Sequence, residues 1–157
     1  MQTSITDAPE IGLEGQIATS ETRDLITATI TAPDLQAGLW TCRDAGNGTA
    51  KKIGNAGSAA ASEILGVIHR DQAREPSLDL PLGSEIAIVR RGVVYVRTES
   101  ACTAGQPVFV RHTLAPGTVN GASRHDADGA NAVAVSGARF RNSAGAGEIV
   151  AIEINLP

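Results

Sequence analysis

Aromatic residues are nearly missing from this sequence. Trp40, Tyr95, Phe109 and Phe140 are the whole complement, 3% of 157 residues. A core made of Val, Ile, Leu and Ala suits thin β packing and lacks large anchors. The shortage also argues against single-stranded nucleic acid as a ligand, because that binding uses aromatic stacking platforms. Basic residues are scarce as well. Thirteen Lys and Arg against seventeen Asp and Glu leave a formal net charge of −4. A duplex-binding protein carries a basic face, and the densest basic run here is Arg90-Arg91. At 19%, charged residues fall below the roughly 25% of an average soluble domain, which favours burial against partners. No apolar stretch approaches the ~20 residues of a membrane span. The opening MQTSITDAPE has neither the basic nor the apolar region of a secretory signal. The only cysteines, Cys42 and Cys102, allow one bridge at most. They read as two buried thiols of a protein made in a reducing cytosol. No CxxC or Cys/His cluster points to zinc.

The chain is nonetheless long enough for a self-standing core. At 16.1 kDa it exposes roughly 7,400 Å² folded against roughly 23,000 Å² unfolded. One domain, or one domain plus an arm, fits that size. Residues 1–22 are polar with isolated apolar positions. Within them Gly12-Leu13-Glu14-Gly15 opposes a helix, because each glycine costs about 1 kcal/mol there. This stretch reads as an extended arm with a turn, and the barrel domain as 23–157.

Beyond the arm, β-branched runs between turn residues predict strands over 25–31, 39–43, 64–69, 107–112, 132–136, 138–142 and 148–156. Residues 44–57 read as a loop with an Asn47-Gly48 hairpin signal. Residues 58–63 hold at best one helical turn. The strings EIAIVR and VVYVRT (85–90 and 93–98) flank Arg91-Gly92 and predict a tight hairpin. Residues 114–130 read as a loop, and Gly137 as a bulge or bend. In the last strand Val150, Ile152, Ile154 and Leu156 share one face, the period of a half-buried strand. About eight short strands at roughly ten-residue spacing predict an all-β fold, an antiparallel β-barrel with an extended N-terminal arm.

Signatures of catalysis are missing. His69-Arg70-Asp71 is shared with the kinase catalytic loop, but the required Asn is replaced by Pro76, the GxGxxG loop is missing and the chain is too short for a kinase. Asp126-Ala127-Asp128-Gly129 resembles part of a calcium loop, with wrong residues at both ends of the frame. The loop 46–52 does not match the phosphate-binding pattern. His69, His112 and His125 share no ligand spacing. No catalytic, cofactor-binding or metal-ligating residue is expected.

Taken together, IGLEGQIA (11–18), ILGVIHRD (64–71), GSEIAIVRRGVVYVRTE (83–99), GQPVFVRHT (105–113) and NAVAVSGARFRNSAGAGEIVAIEINLP (131–157) resemble the structural cement, or head decoration, proteins of tailed bacteriophages. The region 32–60 matches least. The resemblance implies a non-enzymatic virion protein that decorates and stabilises the capsid. It would be a β-barrel with an N-terminal arm, outside the capsid lattice, made in the bacterial host cytoplasm. It would sit as a homotrimer at three-fold and quasi-three-fold positions, clamping neighbouring major capsid subunits. Its partners would be the major capsid protein and its own copies, with no nucleic acid, membrane or cofactor. Two other readings stay open: a different phage β-barrel protein of the tail or head completion, and a small β-barrel enzyme or ligand binder.

The arm is the candidate capsid interface. Ile11, Leu13 and Ile17 are spaced to dock into grooves on a partner. Gly12 and Gly15 let the backbone lie close to another chain. Glu14 and Gln16 can satisfy partner backbone or basic groups. A floppy terminus, or an ordinary first strand, is the plainer alternative.

Overall fold

The structure, a computed structural model, describes residues 12–19, 22–44, 48–52, 64–70 and 79–157. Nine strands follow in chain order: β1 (Asp24–Ile30), β2 (Trp40–Arg43), β3 (Thr49–Lys52), β4 (Ile64–Ile68), β5 (Glu85–Arg97), β6 (Pro107–Arg111), β7 (Ser123–Arg124), β8 (Ala132–Phe140) and β9 (Ile149–Asn155). The all-β reading holds. β1 pairs with both β3 and β5, so β1-β3-β2-β4-β5 closes into a five-stranded barrel. The strands β9, β8, β6 and β7 continue from the second half of β5. A parallel bridge between Thr98 and Ser123 brings β7 back to the end of β5. All strand pairs are antiparallel except β1–β3, whose register joins Thr29 to Thr49 and Ile30 to Ala50. Closure removes open sheet edges, which would otherwise template aggregation.

The expected hairpin at Arg91-Gly92 is not formed. Residues 85–97 are one strand of 13 residues. A two-residue hairpin of the favoured type needs a positive φ at both central residues, and only Gly92 has one, at 127°. Each half of the strand finds other partners. The first half pairs with β1 and β4, and the second with β9. The register against β1 slips where the strand passes from the closed barrel to β9, with Asp24 facing Arg91 and Leu25 facing Val89. The expected loop at 44–57 also holds a strand: β3 pairs with β2 through Thr41↔Lys52 and Arg43↔Ala50. Asn47 and residues 58–63 lie outside the described residues. The loop 114–130 contains the short β7. At Gly137, φ is 85°; the β6–β8 register slips between Phe109↔Ala134 and Pro107↔Arg139, and pairing with β9 begins at Ala138.

Two apolar clusters fill the interior. The smaller holds Ala28, Ile30, Leu35, Ala50, Leu65, Ile68, Ile86 and Ile88. The larger gathers Trp40, Phe140, the valines of β5 and β6, and the inner face of β9. β5 serves both, giving Ile86 and Ile88 to the first and Val89, Val94 and Val96 to the second. The inner face of the final strand follows its alternation: Val150, Ile152, Ile154 and Leu156 are buried; on the other face Glu153 and Asn155 are exposed, while Ala151 is buried. Cys42 and Cys102 are both buried thiols and are not bridged. Burial is the main cause that pushes the Cys102 thiol up, so the thiolate is disfavoured.

Candidate functional site

Six of the seven expected interface residues are described, and Ile11 lies outside the described residues. Residues 13–16 form a turn closed by Gln16 N–H donating to Leu13 O at 2.9 Å and by Leu13 N–H donating to Gln16 Oε1 at 3.0 Å. Gly15 takes φ 76° there, the positive value that the third position of such a turn requires. A Cβ on Gly15 would stand 2.7 Å from Ile68 O and 2.8 Å from Gly38 N. A Cβ on Gly12 would run into the Tyr95 ring. Both glycines thus provide close approach, and the chain they approach in this structure is their own.

The segment then follows the second half of β5. Gly15 N–H donates to Tyr95 O at 2.8 Å, Tyr95 N–H to Gln16 O at 2.9 Å, and Ala18 N–H to Val93 O at 2.8 Å. Ile17 bridges Val94 and packs on the large cluster. Glu14 Oε1 meets Arg97 Nε at 2.5 Å. Leu13 remains 48% exposed. So the site residues separate: Gly12, Gly15 and Ile17 root the segment, Glu14 and Gln16 are engaged in intrachain hydrogen bonds, and Leu13 projects.

Leu13 stands between two open grooves. One, of about 680 Å³, also includes Gln16, Ile17, Arg23, Leu25, His69 and Arg70. The other, of about 560 Å³, includes Leu39, Arg97, Val119 and Ile149. Nothing local in the sequence announces either, because each gathers side chains from positions dozens of residues apart.

A second feature escaped the sequence reading. Arg111 is 2% exposed and is gripped by carboxylates. Its Nε donates to Glu99 Oε1 and Oε2 at 2.8 and 2.7 Å, and its Nη2 to Asp128 Oδ2 at 2.6 Å. Arg124 joins Glu99 and Asp128 at 3.0 Å each, and Asp126 at 2.6 Å. Trp40 Nε1–H donates to Ser123 Oγ at 2.8 Å beside them. The network holds Asp128, Gly129 and Ala130, three consecutive residues of positive φ, a conformation that costs roughly 1–3 kcal/mol at each non-glycine position. The same network accounts for the acidic string 126–128. Asp126 and Asp128 spend their oxygens on guanidinium groups, and no cluster of ligands fit for a metal exists among the described residues.

Burial works against the charge on Arg111, and the hydrogen bonds to Glu99 and Asp128 more than offset it, so its pKa stands above the ordinary arginine value. The Arg111 hydrogen bond, aided by Arg124, holds the Asp128 carboxyl below the usual range. A depressed folded pKa contributes stability that is fully present above the unfolded value, near 4, and is lost as pH falls through the folded value. The stability gap between the protein and Asp128→Asn is therefore expected to be constant from about pH 7 to 5 and to narrow below about pH 4. Urea melts across that range check this, and a gap that widens with acid contradicts it.

The family model described as structural cement protein (E217 gp24/Pam3 gp6) matches residues 1–155. A solved structure titled the capsid of Myoviridae Phage XM1 is similar over 99% of this chain and 97% of that chain, with a TM-score of 0.74 and 15% sequence identity. That likeness is one of fold. The head fiber gp8.5 N base of bacteriophage phi29 aligns over 85% of this chain and 94% of that one, with a TM-score of 0.45 and 12% identity. No curated protein matches the sequence.

Proposed function

This chain belongs to the structural cement protein family of bacteriophages, a non-enzymatic structural protein of the virion, and we propose that it clamps neighbouring major capsid subunits from the outer surface of the head. The observation that carries this is the extent of the family match, which takes in the arm together with the barrel. The physical form suits the task. A closed barrel with two cores is rigid, and residues 12–19 are fastened to it by backbone hydrogen bonds. The arm, residues 1–22, thus has a firm root from which to reach. Ordering a free segment costs about 1–2 kcal/mol per residue, so it is worth fixing only where a partner repays the cost.

The proposed assembly is a homotrimer at three-fold and quasi-three-fold positions. One 16.1 kDa barrel offers a small contact area, and three linked copies raise the effective concentration of each contact. The test is a chain shortened by residues 1–11. The shortened protein is expected to melt as the full chain does and to occupy undecorated heads at least about tenfold less well. Heads carrying it are expected to release DNA at lower temperature. A density map of the decorated head locates the copies, which should approach capsomer numbers and surround three-fold axes. Equal occupancy and equal head melting for both chains rule out the arm as clamp. Single copies away from those axes, or a handful of copies at one vertex, rule out the proposed placement.

A further inference from the structure

The groove beside Leu13 has a chemistry unlike the rest of the molecule. It runs between residues 13–19, the start of β1 and the end of β4, and it contains Arg23, Arg70 and His69 but no carboxylate among the described residues. The whole chain is acidic, at −4, so this cationic lining is local. With screening over about 8 Å in physiological salt, the groove's own charges decide what it attracts at contact range.

Arg70 supplies the sharper observation. Arg70 lines the groove, and its Nη1 lies beneath that lining with no acceptor among the described residues. A buried donor left unpaired costs about 1–3 kcal/mol, more when charged, and native proteins rarely carry one without a reason. Arg23, which lines the same groove, is exposed and takes part in no ion pair among the described residues. Two guanidinium groups present planar forks suited to carboxylates. Leu13 and Leu25, 48% and 36% exposed, flank them with apolar surface.

We propose that this groove receives an acidic segment of the capsid partner, with carboxylates on Arg23 and Arg70 and apolar side chains against Leu13 and Leu25. The proposal rests on the capsid role above and names the chemistry of the surface that meets it. The test uses heads stripped of the protein, to which the full chain and its variants are added back over a series of salt concentrations. The full chain is expected to bind less well as salt rises. Arg23→Glu alone is expected to lower occupancy several-fold, and Arg23→Glu with Arg70→Glu at least about tenfold, while thermal melting of the free proteins stays within about 3 °C of the parent. Arg23 is exposed, so its single variant keeps the test sound if the double variant folds poorly. Variants that bind as the parent does overturn the groove assignment and leave the capsid role standing. A full chain that does not bind heads overturns the capsid role and this proposal with it. Arginine-dependent binding of the free protein to a DNA duplex, with head occupancy unchanged in the variants, overturns it in favour of nucleic acid.

Discussion

Ile152→Asp is expected to leave no folded protein at 37 °C. Ile152 is 0% exposed and lies in the large cluster, with Val94 opposite on β5 and Phe140 opposite on β8. The substitution removes an apolar side chain worth roughly 1.5–3 kcal/mol of burial and sets a carboxylate among valines and isoleucines with no partner. A domain of this size holds only about 5–15 kcal/mol in total. The neighbouring position provides the control. Glu153 points outward, and its side chain is 57% exposed with Arg141 at 4.0 Å. Exposed pairs of that kind contribute about 0–1 kcal/mol, so Glu153→Ala should melt close to the parent. Circular dichroism and urea titration of the two variants separate them. A soluble, cooperatively melting Ile152→Asp would mean that this face of β9 is not the core.

Arg111→Ala is expected to cost about 3 kcal/mol, a drop in melting temperature of roughly 6–12 °C for a chain of this length. The loss is large because Arg111 is buried and both carboxylates it serves stay behind. It falls at the lower end of the usual range because Arg124 still reaches Glu99 and Asp128 at 3.0 Å. Removing charge on both sides should recover part of the loss, so the double variant Arg111→Met with Glu99→Met is expected to melt above Arg111→Ala. A full double-variant cycle measures the coupling. Additive losses, with no coupling between positions 99 and 111, would show that the network does not hold the 123–131 segment to the barrel.

These two positions also mark how far local reading extends. The alternation in 148–156 is a property of adjacent residues, and a strand's period of two turns it directly into a buried and an exposed face. Glu99, Arg111, Arg124 and Asp128 are each unremarkable in their own neighbourhoods. Only the return of β7 to the end of β5 brings them into contact. Arg23 and Arg70 are separated in the same way and line one groove.

The glycines of the arm fall between these cases. The need of Gly12 and Gly15 for close approach was legible, because a missing Cβ says that something must come near. What comes near was not, since that depends on where Tyr95, Ile68 and Gly38 lie. The strings around Arg91-Gly92 show the same limit from the other side. Two alternating runs joined by a glycine describe a hairpin and one long strand equally well. The choice falls to the partners, and here β1, β4 and β9 claim the two halves separately.

The residues by themselves determined the all-β class, the inner face of the final strand and the buried thiols. All of these follow from composition or from the period of neighbouring side chains. Tertiary structure alone decided the closure through a parallel β1–β3 pair, the single long β5 shared by two cores, the buried charge network and the cationic groove. Each of those depends on pairing between distant segments, where the free energy of contact is settled by the whole fold and not by any stretch of chain.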